Sequence, residues 1–157
     1  MVLKNKKKAI VIGGSRGIGK EISLALKKIK INTYSCSRKD IDTSDLKSVK
    51  KFLKTHKKTD ILVLNSGGPP PLKMNSITID VWKKYFNQLF LSFFLIIKHI
   101  KINKNGYIFY ISSSIIKEPG ESLVISSSLR SAMSSLLKSY SVLNSKNGIS
   151  SINIAPG

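Results

Sequence analysis

Short apolar runs alternate with longer amphipathic stretches along the chain. The first run, Ala9-Ile10-Val11-Ile12, is rich in β-branched residues and predicts a buried strand. After a glycine-rich break, apolar residues return at helical spacing at 18, 22, 26 and 29. Further short runs predict strands at 32–37, 59–65, 106–112 and 151–155, and amphipathic stretches between them predict helices at 46–56, 79–101 and 126–143. This alternation predicts an α/β protein with a doubly wound parallel sheet.

The break after the first predicted strand reads Gly13-Gly14-Ser15-Arg16-Gly17-Ile18-Gly19. In a dinucleotide-binding turn, Gly13 permits the sharp bend, Gly17 lets the backbone approach a pyrophosphate, and Gly19 lets the helix pack closely on the strand. The N-terminus of that helix also offers free N–H groups to a phosphate. Glycines punctuate ordinary turns too, but the strand before and the helix after give the context that a nucleotide site requires. The pattern therefore predicts a nucleotide phosphate site.

Polar or glycine-rich segments follow the other predicted strands. They are Ser37-Arg38-Lys39, Asn65-Ser66-Gly67-Gly68, Ser112-Ser113-Ser114 and Pro156-Gly157. Ligands of such sheets lie beyond the carboxyl ends of the strands, so these segments and the glycine turn are expected at one site. The second strand ends in hydroxyl and cationic groups instead of the acid that usually binds a ribose 2′-hydroxyl. This favours a 2′-phosphate, and a basic turn without a ligand is the alternative interpretation.

The length of 157 residues predicts a single domain, 1–157. One cysteine, Cys36, excludes an internal disulfide and fits a reducing cytoplasm. No secretory signal is visible, and the most apolar stretch, 89–97, is too short to span a membrane. His56 and His99 lie on predicted helix ends without metal-ligand neighbours, so they are expected to be structural and no metal is predicted.

The formal net charge of +19 raises the question of a nucleic-acid partner. Twenty-four lysines stand against three arginines, and they are scattered through every predicted helix without interleaved aromatics. Solvated helix faces are therefore the favoured interpretation, with a nucleic-acid surface as the minor alternative. Arg16, Arg38 and Arg130 all fall where a bidentate phosphate or carboxylate contact would be useful.

With these segments in this order, the chain resembles the short-chain dehydrogenase/reductase family, and in particular an atypical subgroup similar to 3-oxoacyl-acyl-carrier-protein reductases. The resemblance implies a Rossmann-like fold, an NAD(P)(H) cofactor with NADP(H) preferred, and a small carbonyl or hydroxyl substrate. It also implies a homo-oligomer formed through the helices at 79–101 and 126–143. The cofactor-binding residues that it implies are Gly13, Ser15, Arg16, Gly17, Ile18, Gly19, Ser37, Arg38, Asp42, Asn65, Ser66, Gly67, Pro156 and Gly157.

The catalytic residues depart from the family pattern. Counting from the serine at Ser113, the family's tyrosine and lysine fall on Ser126 and Arg130, and its helix asparagine falls on Leu89. The predicted catalytic set is therefore Ser113, Ser126 and Arg130. Compared with the family, the chain is also shortened after the second strand and at its C-terminus. Three functions stay open. They are an oxidoreductase with a degenerate catalytic set, a catalytically silent nucleotide-binding or assembly subunit, and a basic nucleic-acid-binding protein on a Rossmann scaffold.

Overall fold

The computed structural model describes residues 6–157, and these residues share one parallel sheet. Its strands are β1 (Lys8–Val11), β2 (Asn32–Ser35), β3 (Lys58–Leu64), β4 (Lys101–Ile111) and β5 (Ser150–Ile154). They lie in the order β2-β1-β3-β4-β5, with every neighbouring pair parallel. The strand order reverses between β1 and β3, which is the place where such sheets open a ligand crevice. The predicted Rossmann-like α/β fold is confirmed.

Five α-helices connect these strands. They are α1 (Gly17–Lys28), α2 (Leu46–Thr55), α3 (Ile79–Phe86), α4 (Ser92–His99) and α5 (Val124–Leu143). Side chains cap two of them directly before the predicted starts at 46 and 79. Asp45 Oδ1 accepts from Lys47 N–H at 2.8 Å, and Thr78 Oγ1 accepts from Val81 N–H at 3.3 Å. The connection 36–45, described throughout, contains only turns, so the predicted shortening after β2 is present.

The boundaries differ from prediction around residue 100. The predicted helix 79–101 ends at His99 and contains a π-helical turn at Asn87–Leu91 between α3 and α4. The following strand begins at Lys101, five residues before the predicted start. The first part of this strand was not predicted because it is irregular. Its pairing register with β3 shifts between Thr59 and Ile61, and Asn105 takes a φ of 58°. A polar irregularity inside the strand breaks the alternation on which the prediction depends.

The sheet is covered unequally on its two faces. One face packs against α2, α4 and α5 through Phe52, Phe93 and Met133, among others. The other face packs against α1 through Ile22 and Leu26. The predicted apolar stripe on α1 is wrong at its ends, since Ile18 and Ile29 are 51% and 66% exposed.

In the part of the chain that the structure describes, no helix is long and apolar enough to cross a membrane. The same residues contain no group of three or more His, Cys, Asp or Glu side chains that could hold a metal ion. His56 instead stacks on Phe52, with ring centroids 3.9 Å apart.

Candidate functional site

The glycine turn follows β1 at the carboxyl edge of the sheet. Gly13 and Gly17 take φ values of 64° and 51°, a region that favours glycine. A Cβ on Gly19 would collide with the Gly13 carbonyl oxygen and lie 2.7 Å from Asn65 Nδ2. A Cβ on Gly17 would meet nothing within 4 Å, so the backbone there faces open space. Within the described residues no side chain caps the N-terminus of α1. The turn therefore fits a phosphate group.

A network of backbone bonds holds this turn against β2 and β3. Gly14 N–H donates to Cys36 O at 2.8 Å, and Cys36 N–H donates to Val11 O at 2.8 Å. From the other side, Asn65 Nδ2 donates to Gly13 O at 3.0 Å. The residue after Cys36 is therefore close to the turn in the fold, as a group that binds the ribose of a dinucleotide must be.

An acid occupies the segment after β2, where the sequence predicted only hydroxyl and cationic groups. Asp40 Oδ2 accepts from Ser37 N–H at 2.8 Å and from Ser37 Oγ at 2.6 Å, and its Oδ1 accepts from Tyr34 OH at 3.1 Å. The Ser37 hydroxyl bond, followed by the Ser37 amide bond, holds the pKa of Asp40 below its usual value. Arg38 pairs with Asp42 at 3.5 Å. Ser37 and Arg38, two of the predicted cofactor-binding residues, therefore have carboxylate partners.

Asp42, predicted at the adenine, also accepts from Ser44 N–H at 2.9 Å and Ser44 Oγ at 2.7 Å. Partial burial acts to raise its pKa, but these bonds and the charge of Arg38 outweigh that effect and lower it. The carboxylate is thus kept ionised and fixed in the turn that precedes α2.

The loop after β3 is held by two side chains. Gln88 Nε2 donates to Gly67 O at 2.8 Å and to Ser66 Oγ at 3.2 Å. Arg130 Nη2 donates to Ser66 O at 3.1 Å. Sequence reasoning missed Gln88 and placed Leu89 at this position of the helix. The π-helical turn explains the difference, since Gln88 reaches the loop while Leu89 is fully buried against Ile125 and Leu129.

Arg130 lies beneath the site with 6% of its surface exposed. Its Nε donates to Ser126 Oγ at 3.1 Å, and its Nη1 donates to Ile111 O at 3.0 Å and Ser112 O at 3.4 Å. Together with the Ser66 contact, these bonds join the ends of β3 and β4 to the first turns of α5. Every acceptor is uncharged. The guanidinium therefore holds the carboxyl ends of β3 and β4 together.

The third predicted catalytic residue, Ser113, lies beside the last strand. Ser112 Oγ bonds to Asn153 Oδ1 at 2.5 Å, and Ser114 N–H donates to Pro156 O at 2.9 Å, so the segment is anchored on both sides. Ser113 itself is half-buried, and its hydroxyl has no partner among the described residues. It is the most exposed of the three, and its hydroxyl is available to a ligand.

Two buried acidic groups near these strands do not replace the missing tyrosine. Burial raises the pKa of Tyr110 to about 12 against the opposing charge of Arg130, and that of Cys36 also to about 12. Neither side chain is exposed to solvent. A general acid works best with a pKa near the operating pH and within reach of substrate. Both residues are therefore structural.

The structure thus brings the predicted residues together in three groups. The glycine turn meets Asn65, the Ser66–Gly67 loop meets Arg130 and Ser126, and Ser113 lies next to Pro156. The exposed side chains of Ser15 and Arg16 make no hydrogen bond or ion pair within residues 6–157. Asp40 and Gln88 are the polar residues that the sequence did not indicate.

Parallel strands in this order, a glycine turn after the first and polar segments after the others define a Rossmann-like protein. A model described as short chain dehydrogenase matches residues 39–157, about three quarters of the chain. The chain belongs to the short-chain dehydrogenase/reductase family, which is a family of oxidoreductases.

Individual relatives agree with this assignment. An L-rhamnose 1-dehydrogenase (NADP(+)) from Thermoplasma acidophilum is 28% identical over 96% of this chain and 72% of its own. A short chain dehydrogenase family protein from Francisella tularensis has a similar fold, with a TM-score of 0.85 at 19% identity over 97% of this chain and 69% of its own. The angucycline C-6 ketoreductase LanV, solved with bound NADP, gives 0.80 at 17% identity over 96% and 72%.

Proposed function

We propose that this chain binds NADP(H) and transfers hydride between that cofactor and a small carbonyl or hydroxyl compound, with 3-oxoacyl groups as the first candidates. The observation that carries the proposal is the glycine turn, with an open face at Gly17 and an uncapped α1 N-terminus beside it. The NADP(+)-dependent relative and the NADP-bound neighbour support the choice of cofactor.

In this proposal the pyrophosphate lies at the N–H groups of 17–19, as helix N-termini favour. Arg16 and Arg38 contribute positive charge to the 2′-phosphate, and Asp42 lies by the adenine. Asn65, Ser66, Gly67, Pro156 and Gly157 form the floor at the nicotinamide end. When bound, the nicotinamide supplies or accepts the hydride.

The residues of this chain orient the substrate. Ser113, whose hydroxyl is free among the described residues, donates to the substrate oxygen. Ser126 accepts a hydrogen bond from Arg130 Nε, so its own O–H remains free to donate to that oxygen or to a water. In this scheme Arg130 contacts neither the cofactor nor the substrate. It is a positioning residue, and its buried charge favours negative charge that develops on the substrate oxygen.

The test is a fluorescence titration of the purified protein with NADPH and NADH. We expect NADPH to bind at least about tenfold more tightly, a difference of about 1.4 kcal/mol. Arg38→Ala is expected to remove most of that difference and Lys47→Ala, a nearby control, to keep it. Equal affinities in the unchanged protein would contradict the cofactor proposal.

A second function is favoured by one observation. The hydrogen bonds of Arg130 go to protein acceptors, and burial raises the pKa of Tyr110 to about 12, far above the range that suits a general acid. A protein built this way can bind nucleotide without turnover. A chain that binds NADPH but consumes none with 3-oxoacyl thioesters, ketones or aldehydes, and that gains activity from Ser126→Tyr with Arg130→Lys, would be such a binding subunit.

A further inference from the structure

The charges of this protein are separated along the strand direction. Because the sheet is parallel, every helix-to-strand connection lies at the amino edge of the sheet, opposite the glycine turn. These connections, 29–31, 56–57, 100 and 144–149, contain no Asp or Glu. Most carboxylates belong to strand-to-helix connections or to early turns of helices at the other edge, namely Glu21, Asp40, Asp42, Asp45, Asp80, Glu118 and Glu121.

Lysines crowd the amino edge. They occur in the last turns of α1, α2 and α4 and at the first residues of β1, β3 and β4. The acid at this edge, Asp60, already accepts from Lys8 N–H at 2.6 Å and Asn103 Nδ2 at 2.8 Å. Among residues 6–157 the one ion pair is Arg38–Asp42, so these lysines lack carboxylate partners.

Two adjoining cavities open at this edge. The larger, of about 650 Å³, lies between the ends of α4 and α5 and is lined by Lys98, Lys101 and Lys104 together with amide groups of Asn103, Asn144 and Asn147. The smaller, of about 220 Å³, is lined by Lys50, Lys54 and Lys57. His99 lines both, and Lys101 N–H donates to Lys57 O at 2.9 Å, so the two form one groove. No carboxylate lines it.

Helix dipoles do not account for this charge. The helices that end at the groove are α2, α4 and α5, and each C-terminus carries about half a negative charge. That partial charge normally accounts for lysines at a helix C-terminus. Six lysines exceed that total several-fold. The excess is concentrated in a concave place with polar donors, where field lines focus and a counter-charge is bound more strongly than on a flat surface.

We propose that this groove binds the phosphodiester backbone of nucleic acid, independently of base sequence. Phosphate oxygens accept from ammonium and amide donors alike, and lysines supply the charge in sequence-independent binding. An acidic protein is the less suitable partner, because lysine is depleted and arginine enriched at protein interfaces. The three arginines of this chain lie at the opposite edge, Arg16 and Arg38 in connections after β1 and β2, and Arg130 in α5 with its side chain at the strand ends.

The test uses fluorescein-labelled dT20 and anisotropy titrations between 50 and 200 mM NaCl. Lys57→Gln/Lys101→Gln/Lys104→Gln removes three charges from the groove. Lys73→Gln/Lys83→Gln/Lys117→Gln removes the same charge from exposed positions outside it. For three lost phosphate contacts on a single strand, the slope of log affinity against log salt is expected to fall by about 2. Affinity at 0.1 M salt is expected to fall about tenfold or more in the groove variant only, with NADPH failing to compete.

Three results would overturn the proposal. They are equal losses in the two triple variants, no binding of dT20 by the unchanged protein at 50 mM NaCl, and displacement of dT20 by polyglutamate of matched charge as effectively as by unlabelled dT20. The first would assign the binding to net charge, and the last would favour an acidic protein partner. Thermal melts of both variants control for folding, and none of these outcomes depends on cofactor binding or turnover.

Discussion

Arg130 shows how a site residue can have a different role from the one its sequence position implies. The resemblance places it where the family has a lysine, whereas the structure commits its guanidinium to Ser66, Ile111, Ser112 and Ser126. We expect Arg130→Met to lower the free energy of unfolding by about 3 kcal/mol or more, because it leaves several buried acceptors unsatisfied at about 1–3 kcal/mol each. Urea unfolding measures this.

Arg130→Lys is the matched control for that substitution. A lysine keeps the charge but cannot reach acceptors on two strand ends with one ammonium, so an intermediate loss is expected. A fully stable Arg130→Met protein would show that water replaces the guanidinium without cost. That result would contradict the role of Arg130 in holding the strand ends together.

Asp40 sets a prediction about cofactor choice. Its carboxylate holds the Ser37 hydroxyl and amide, which a 2′-phosphate would otherwise use. We expect Asp40→Asn to raise NADPH affinity about three- to tenfold, since a like charge about 5 Å away costs about 1 kcal/mol in water. NADH affinity is expected to stay within twofold, because NADH lacks that phosphate. Asp45→Asn, on the neighbouring cap, serves as the control in the same titration, and a loss of NADPH affinity in Asp40→Asn would contradict this role.

At the residue scale, the sequence indicated which residues lie at one edge of the sheet but not which hydrogen bonds they form. Gly13, Asn65 and Pro156 follow strands, so parallel topology alone places them at one edge. Asp40 lies three residues beyond Ser37, and its return to that serine depends on a tight turn that no periodicity reports. Contacts made within irregular backbone are the part that pattern reasoning does not reach.

Among the elements, the unit of β1, the glycine turn and α1 contains one glycine expected to matter mainly for binding and another expected to matter mainly for stability. Gly19 has no room for a Cβ, whereas Gly17 has room but a positive φ. We expect Gly17→Val to leave a folded protein, destabilised by about 1–2 kcal/mol of backbone strain, that no longer binds NADPH. Gly19→Val is expected to displace the turn from Asn65 and to reduce stability further. Urea unfolding and NADPH titration of both variants separate the two effects, and NADPH binding retained by Gly17→Val would place the phosphate elsewhere.

The long helix shows the limit of sequence counting at the element scale. It starts at Ile79, as the amphipathic pattern predicts, with Thr78 as its cap, and Leu89 and Phe93 are buried. The π-helical turn at Asn87–Leu91 inserts a local change of register that leaves the apolar spacing nearly intact. Gln88 therefore reaches the Ser66–Gly67 loop although counting along a regular helix selects Leu89.

For the whole molecule, the surface of α5 favours self-association and the net charge opposes it. The exposed side of α5 presents a row of small residues, Ser128, Ala132, Ser135 and Ser139, on which a second helix can approach closely. Phe94 on α4 is 36% exposed. These features support the expectation of a homo-oligomer formed through the helices at 79–101 and 126–143. Two copies that each carry a net charge of +19 nevertheless repel one another.

Association is therefore expected to depend on salt in a definite direction. At 20 mM NaCl the Debye length exceeds about 20 Å and repulsion favours the monomer, whereas at 0.5 M it is a few Å and the helix faces can meet. Light scattering after size exclusion should show the mass rising from one to two protomers over that range. Ala132→Arg, which places a bulky charge in the small row, should stay monomeric at 0.5 M, and Ser145→Arg, outside the row, should behave like the unchanged protein. A monomer at every salt concentration, or a dimer unaffected by Ala132→Arg, would contradict the assignment of this surface.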